Sequence, residues 1–466
     1  MLPSVSIARD AATALLAGDW TGAGMSARLM QVFELSRSPR WIDPLVARVL
    51  ARFGLHPPTP RHAALTSFLA ADRKFCRAIE RLVAKAQRQE PLEQFQSTLV
   101  TNVLGLPRPE MAPAPAIVGT DELLVLVTAG ELADWLGITI SQLDWFAGCR
   151  RYGRSAAAGK LGHYRYYWIA KSGGRKRLVE SPKPRLKEIQ RQILGEILGV
   201  IPPHPSAHAF RSQRSTITCA APHVGQRVVL RIDLRDFFPR IRQSRIHALF
   251  HTLGYPEEVA RLLAALCTNA VDDSFFLPDD ATGRRHELWE IFRQPHLPQG
   301  APTSPALANL CAFRLDCRLT GLARAVGANY TRYADDLVFS GDSDFERSLH
   351  RFRVFVCAIV LDEGFAIRHR KTRVMRSGAQ QSIAGLVVNR RINVPRDEYD
   401  RLKATLHNCR RFGPESQNRG DHPRFREHLQ GKIAYVAMTQ RERGAKLQQV
   451  FDKIAWEPPA HSAATR

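Results

Sequence analysis

The sequence predicts an α+β protein of more than one domain, and three observations carry that prediction. Apolar residues recur at helical spacing through the first hundred positions, as in Phe68 to Ala84. Two β-branched and aromatic runs, Val228 to Asp233 and Tyr330 to Ser340, each bring carboxylates to a strand end or turn. Helical periodicity returns at Tyr399 to Cys409 and Phe425 to Met438. At 466 residues the chain has material for two or three domains.

In chain order, residues 1–105 read as an α-helical extension, and the Pro-rich stretch Leu106 to Ala116 opens a linker over 106–120. Thr128 and Glu131 form a capping box for a short helix ending at Gly137, and a second helix follows from Ser141. This pair admits a reading as a DNA-binding helix-turn-helix or as two helices that buttress the next segment. A basic hairpin then turns at Gly173-Gly174, with Lys171 and Arg177 on its arms. From Pro182 to Leu198, the spacing of Leu186, Ile189, Ile193, Leu194 and Ile197 predicts a helix. Residues Ala281 to Phe292 and the acids before them (Asp272, Asp273, Asp279, Asp280) read as a solvated insertion loop. Leu297 to Asn309 is a Pro- and Gly-shaped loop that starts a helix at Ser304-Pro305. From Arg390 onward the chain has 16 Lys and Arg against 9 Asp and Glu, a net +7 by subtraction. Asn418, Arg419 and His422 lie in a loop between its helices.

The chemistry sits in the carboxylates. Tyr330 to Ser340 reads as a β-hairpin with Asp335 and Asp336 at its tip, and Asp233 ends the run Val228 to Asp233. Carboxylates crowded into one small volume repel each other until a cation relieves them. Asp233, Asp335 and Asp336 on neighbouring strands would hold two Mg²⁺ ions roughly 3.5–4 Å apart, with Mn²⁺ as an alternative, for in-line phosphoryl transfer. The plainer reading makes Asp233 and Asp236 surface acids of a strand end.

In their order and spacing these segments resemble motifs A, B and C of reverse transcriptases, specifically the bacterial retron-type enzymes. Trp168 to Lys187 resembles the family's fingers segment and Gly364 to Thr372 its motif D, so the resemblance covers roughly 125 to 455. It implies a right-hand polymerase: fingers within 121–225, a palm over 226–389 and a basic helical thumb over 390–466. Two family markers are altered: Cys219-Ala-Ala-Pro-His223 has Cys for Asn, and Ile383-Ala384-Gly385 replaces Val-Thr-Gly. Hydrogen bonds of the missing Asn and Thr do not carry over.

The resemblance implies roles residue by residue. Asp233 and Asp335 would be the principal metal ligands, with Asp336 completing the cluster. Phe238 would sit under the incoming sugar and clash with a ribose 2′-OH, pointing to deoxynucleotides; Phe237 is the other candidate for that ring. Gln299 and Gly300 would line the nucleotide pocket, and Lys171 and Arg177 would grip the triphosphate. Lys371 would protonate the departing pyrophosphate, unless it and its basic neighbours only contact phosphates. His223, Asn418 and Arg419 are candidate RNA contacts.

Composition agrees with a polyanion partner: 67 Lys and Arg against 44 Asp and Glu give +23. No apolar run is long enough to span a membrane, and eight scattered cysteines without CxxC pairs suit a reduced cytoplasm. The resemblance implies as partners dNTPs, a structured noncoding RNA with its cDNA, and a toxic effector protein encoded nearby. It implies as product a short single-stranded DNA (msDNA), primed from a 2′-OH of that RNA, in anti-phage defence. The alternatives are another bacterial defence reverse transcriptase, protein-primed or untemplated, and a catalytically silent RNA-binding scaffold. A group II intron maturase is disfavoured because no C-terminal endonuclease cysteine cluster is present.

Overall fold

The computed structural model describes residues 3–18, 20–54, 61–88, 91–106, 110–116, 123–148, 162–170, 176–272 and 285–456. The chain opens with helices α1 (Pro3–Leu16), α2 (Gly22–Val32), α3 (Ile42–Phe53), α4 (Arg61–Ala71), α5 (Arg73–Ala86) and α6 (Leu92–Leu104). Short helices α7 (Ala129–Trp135) and α8 (Ile140–Phe146) precede strands β1 (Tyr164–Ala170) and β2 (Lys176–Pro182). Then come α9 (Pro184–Gln192), α10 (Thr216–Ala220), β3 (Val228–Asp233), α11 (Phe237–Arg240), α12 (Gln243–Thr252) and α13 (Glu257–Leu266). Helices α14 (Arg285–Phe292), α15 (Ser304–Cys311) and α16 (Phe313–Ala325) lead to β4 (Asn329–Tyr333), β5 (Asp336–Gly341) and α17 (Ser343–Asp362). Strands β6 (Arg373–Arg376), β7 (Ser382–Ile383) and β8 (Leu386–Val387) precede α18 (Arg396–Phe412), α19 (Phe425–Thr439) and α20 (Arg441–Phe451). The residues fall into two compact units, Met1–Pro202 with Phe238–Cys311, and Pro203–Phe237 with Ala312–Arg466.

In the first unit, α1 to α6 bury one face each around Ile7, Leu15, Met25, Leu29, Leu45 and Phe75. Each fully buried side chain of this size contributes about 1.5–3 kcal/mol, enough to hold short helices that would not persist alone. Asp72 fixes where α5 begins: its carboxylate accepts from Phe75 N at 2.8 Å and pairs with Arg48 at 2.7 Å. The Pro-rich stretch is tied down where it is described, because Ala112 N donates to Gly254 O at 2.8 Å. Gly254 has φ +98°, and a Cβ there would stand 2.1 Å from Ala112 O. Thr128 caps α7 by accepting from Glu131 N, while the Glu131 side chain accepts from Val127 N, one residue beyond a strict capping box. The helical stripe from Pro182 becomes α9 and then passes into a π turn over Ile193–Leu198.

One expectation is corrected here. The stretch 281–292, read as a solvated loop, is helical over Arg285–Phe292, and Ile291 and Phe292 are buried with Leu178 and Val271. Its many charges conceal two core positions at the helix's end.

In the second unit, four antiparallel strands run in the order β4-β5-β3-β6. Phe339 stacks on Tyr330 and meets Phe352 of α17 edge-on, which seats that helix on the sheet. The C-terminal helices share a core built on Leu402, Leu406, Leu429, Ile433 and Leu447. No described helix is long and apolar enough to cross a membrane.

Candidate active site

The predicted hairpin forms, and its register decides where the acids go. Tyr333 pairs with Asp336, leaving Ala334-Asp335 as a two-residue turn, and Ala334 takes φ +54°. Positive φ at the first turn position alone suits a type II′ connection, where Gly is the usual choice. An alanine there stores strain at the tip. On the other side Asp336 pairs directly with Asp233 of β3, and Leu234 N donates to Asp335 O at 2.8 Å. Strand pairing therefore brings Asp233, Asp335 and Asp336 together from two separate parts of the sequence.

Cations surround this cluster. Arg231 grips Asp336 with both arms, at 3.0 and 2.9 Å. Lys371 Nζ donates to Asp233 Oδ2 at 2.8 Å, and Arg368 lies 3.4 Å from Asp233 Oδ1. That buried Oδ1 has no hydrogen-bond partner. Burial, then the charges of Asp336 and Asp233, hold the Asp335 carboxyl above the ordinary carboxylate range. Burial also raises Asp336, with Arg231 opposing.

Among the described residues, no group of three or more His, Cys, Asp or Glu side chains is arranged to hold a metal ion. The donor set nevertheless fits divalent ions. Burial and the neighbouring Asp336 and Asp233 disfavour the charged form of Asp335, Asp233 has an oxygen without a hydrogen bond, and hard oxygen donors suit Mg²⁺. Asp336 is held at both oxygens by Arg231, while Asp233 accepts a hydrogen bond at Oδ2 only.

Of the two rings, Phe237 is buried against Phe365, while Phe238 is half-buried. Arg177 stands exposed on β2; Lys171 lies outside the described residues, as does the glycine turn. Gln299 O accepts from Glu180 N at 2.8 Å. Gly300, at φ +135°, backs onto Glu180, whose carbonyl oxygen would stand 2.7 Å from an added Cβ. Gly300→Ala is therefore expected to cost about 2–4 kcal/mol through strain and overlap, read as a lower urea midpoint. In the loop before α19 both polar atoms of Asn418 bond the His422 backbone, and Arg419 is exposed.

The proposed RNA contact of His223 is corrected. The ring is fully buried, with Nδ1 2.6 Å from Ser340 Oγ and Nε2 2.8 Å from Thr331 Oγ1. It joins the segment after α10 to the sheet and presents nothing to a nucleic acid. Cys219, standing where the family has Asn, keeps a polar contact, its Sγ 3.2 Å from Thr331 Oγ1. Ala384 and Gly385, at φ +46° and +85°, form the turn between β7 and β8.

Burial pushes His223 down to about 3. A histidine kept neutral by folding contributes stability above its unfolded value, near 6.5, and that stability is lost as pH falls toward the folded value. Between pH 7 and pH 5 the loss from His223 is expected to be about 2 kcal/mol. Urea midpoints across that interval check it, and a flat profile would contradict it.

Sequence reasoning missed two supports. Arg332 and Asp316 are fully buried and paired at 2.6 and 2.8 Å; Tyr330 OH donates to the same carboxylate at 2.7 Å. Arg332 also donates to Ala334 O at 3.2 Å, which anchors the hairpin tip. Glu180 is buried between His296 Nε2 at 2.9 Å and Asn269 Nδ2 at 2.7 Å. The only signal for the first was an Arg inside a buried strand, which demands a partner.

A family model described as reverse transcriptase (RNA-dependent DNA polymerase) matches residues 169–406. Retron Mx65 reverse transcriptase of Myxococcus xanthus is 39% identical over 76% of this chain and 77% of that protein. Retron Mx162 reverse transcriptase of the same organism is 37% identical over 69% of this chain and 66% of that protein. Retron Ec86 reverse transcriptase of Escherichia coli is 32% identical over 62% of this chain and 81% of that protein. The chain belongs to the bacterial retron-type reverse transcriptases, RNA-directed DNA polymerases of the right-hand fold.

Proposed function

We propose that the protein copies part of a structured partner RNA into a short single-stranded DNA (msDNA), using dNTPs and two Mg²⁺ ions. The observation that carries this is the pairing of Asp233 with Asp336 beside an Asp335 whose carboxyl is held above its ordinary range. Asp233 and Asp335 would hold the ions, which activate a sugar hydroxyl and neutralise the departing pyrophosphate; Mn²⁺ is the alternative ion.

The chain's own residues prepare that chemistry. Arg231 fixes Asp336, so the strand end stays rigid while the turn carries Asp335. Lys371, which donates to Asp233 Oδ2 at 2.8 Å, would supply the proton to the departing pyrophosphate. Phe238 selects deoxynucleotides, Gln299 and Gly300 line the nucleotide pocket, and Arg177 with Lys171 hold the triphosphate. In this reading residues 121–225 are fingers, 226–389 palm and 390–466 thumb; Arg419 meets phosphates of the RNA. Priming from a 2′-OH of the RNA, a cytoplasmic setting and a defence role with a toxic effector rest on the family.

The test is the nucleic acid in cells. The gene is expressed with its native flanking DNA, beside an Asp335→Ala/Asp336→Ala version. A discrete short DNA made only by the wild type, shifting in mobility after RNase, is the expected result. Heterogeneous or protein-linked DNA would overturn the retron product, and no DNA would overturn the copying itself.

A further inference from the structure

Helix α5 carries a charge pattern that folding does not explain. Arg73, Lys74, Arg77, Arg81, Lys85 and, just past the helix end, Arg88 are all exposed. At 3.6 residues per turn they fall within an arc of about 120°. None of the six forms an ion pair among the described residues, and Glu80 at the arc's edge is the only acid within the helix. Residues 1–105 hold 13 Lys and Arg against 8 Asp and Glu, so this one face concentrates nearly half the region's cations. Like charges three and four residues apart repel, so the stripe weakens the helix that bears it.

The opposite face decides the class of partner. A basic amphipathic helix lies on a membrane by burying its apolar side in lipid. Here that side is spent, because Phe75 and Ile79 are buried in the protein's own core with Cys76, Leu82 and Val83 packed beside them. What remains outside is a rigid row of guanidinium and ammonium groups running about 18 Å from Arg73 to Lys85. That is a shape for tracking a phosphate backbone without reading bases.

We propose that α5 of the N-terminal extension docks the phosphate backbone of a base-paired RNA stem. The choice of RNA rests on the proposed function; the stripe itself specifies a rigid, closely spaced row of phosphates. The face gives the extension a task separate from polymerisation: holding the partner RNA while another part of it is copied.

The experiment compares the full-length wild type with Arg77→Glu/Arg81→Glu/Lys85→Glu and with the neutral Arg77→Gln/Arg81→Gln/Lys85→Gln. The probe is an RNA hairpin of about 20 base pairs, titrated at several salt concentrations. Circular dichroism and melting of both variants keep the comparison valid, since these side chains are exposed. The neutral variant is expected to bind at least about 10-fold more weakly at low salt, with a log Kd against log salt slope shallower by roughly 2–3. Parallel slopes and equal affinities would overturn the proposal. So would cosedimentation with phosphatidylserine vesicles that depends on α5 while stem binding does not. Extension of oligo(dT) on poly(rA) is read in parallel. If the wild type fails to extend yet binds the stem through α5, the polymerase reading falls and the docking role stands. If it extends while stem binding is unaltered in the variants, the docking role falls and the polymerase reading stands.

Discussion

Asp335→Asn is expected to lower RNA-templated DNA synthesis by at least about 10³-fold while raising the metal-free melting temperature. The two effects have one cause. In the folded protein Asp335 is half-buried beside Asp336 and Asp233, and its carboxyl sits above the ordinary range. Above that raised value the charged form opposes folding; below the unfolded value, near 3.8, the penalty vanishes. Asparagine keeps the shape and removes the charge, so the empty site relaxes. A divalent ion stabilises the wild type by binding only its folded form, and the variant should lose most of that gain. Primer extension and melting curves with and without Mg²⁺ read both sides. An Asn variant that keeps wild-type activity, or is less stable without metal, contradicts this role.

Asp316→Ala has the second large effect. It strands the Arg332 guanidinium in a fully buried position with no counter-charge and frees Tyr330 OH from its acceptor. Breaking such a pair from one side costs about 3–5 kcal/mol, much of it the penalty of a buried charge. Arg332 also holds Ala334 O, so the hairpin tip should loosen and activity should fall faster than the folded fraction does. Urea unfolding beside specific activity separates the two. A variant within about 1 kcal/mol of wild type would show that the pair adds little to stability.

Much of this was legible in the sequence, for reasons tied to particular residues. Val228 to Asp233 and Tyr330 to Ser340 are apolar runs, and the turn inside the second made its hairpin legible from period and spacing. The pairing that brings Asp233 to Asp336 was instead implied by the order of the resembling motifs. The choice between Phe237 and Phe238 was not legible, since both are equally apolar and only packing against Phe365 buries the first. His223 misled because a lone histidine in a short turn has no periodicity to announce its burial. The helix Arg285–Phe292 was hidden by its charges. Gly300 was recognisable as a close-approach residue, but its neighbour Glu180 lies 120 positions earlier. The Arg332–Asp316 pair likewise joins a strand to a preceding helix, a contact that no local pattern encodes.

The most direct measurement is incorporation of labelled dNTPs by the purified full-length protein on a defined RNA template with an annealed primer. It is titrated with Mg²⁺ beside Asp233→Asn and Asp335→Asn. The account predicts a product complementary to the template, absent without divalent ion and absent from both variants. Template-complementary synthesis that persists in either variant, or that proceeds in excess chelator, would contradict it.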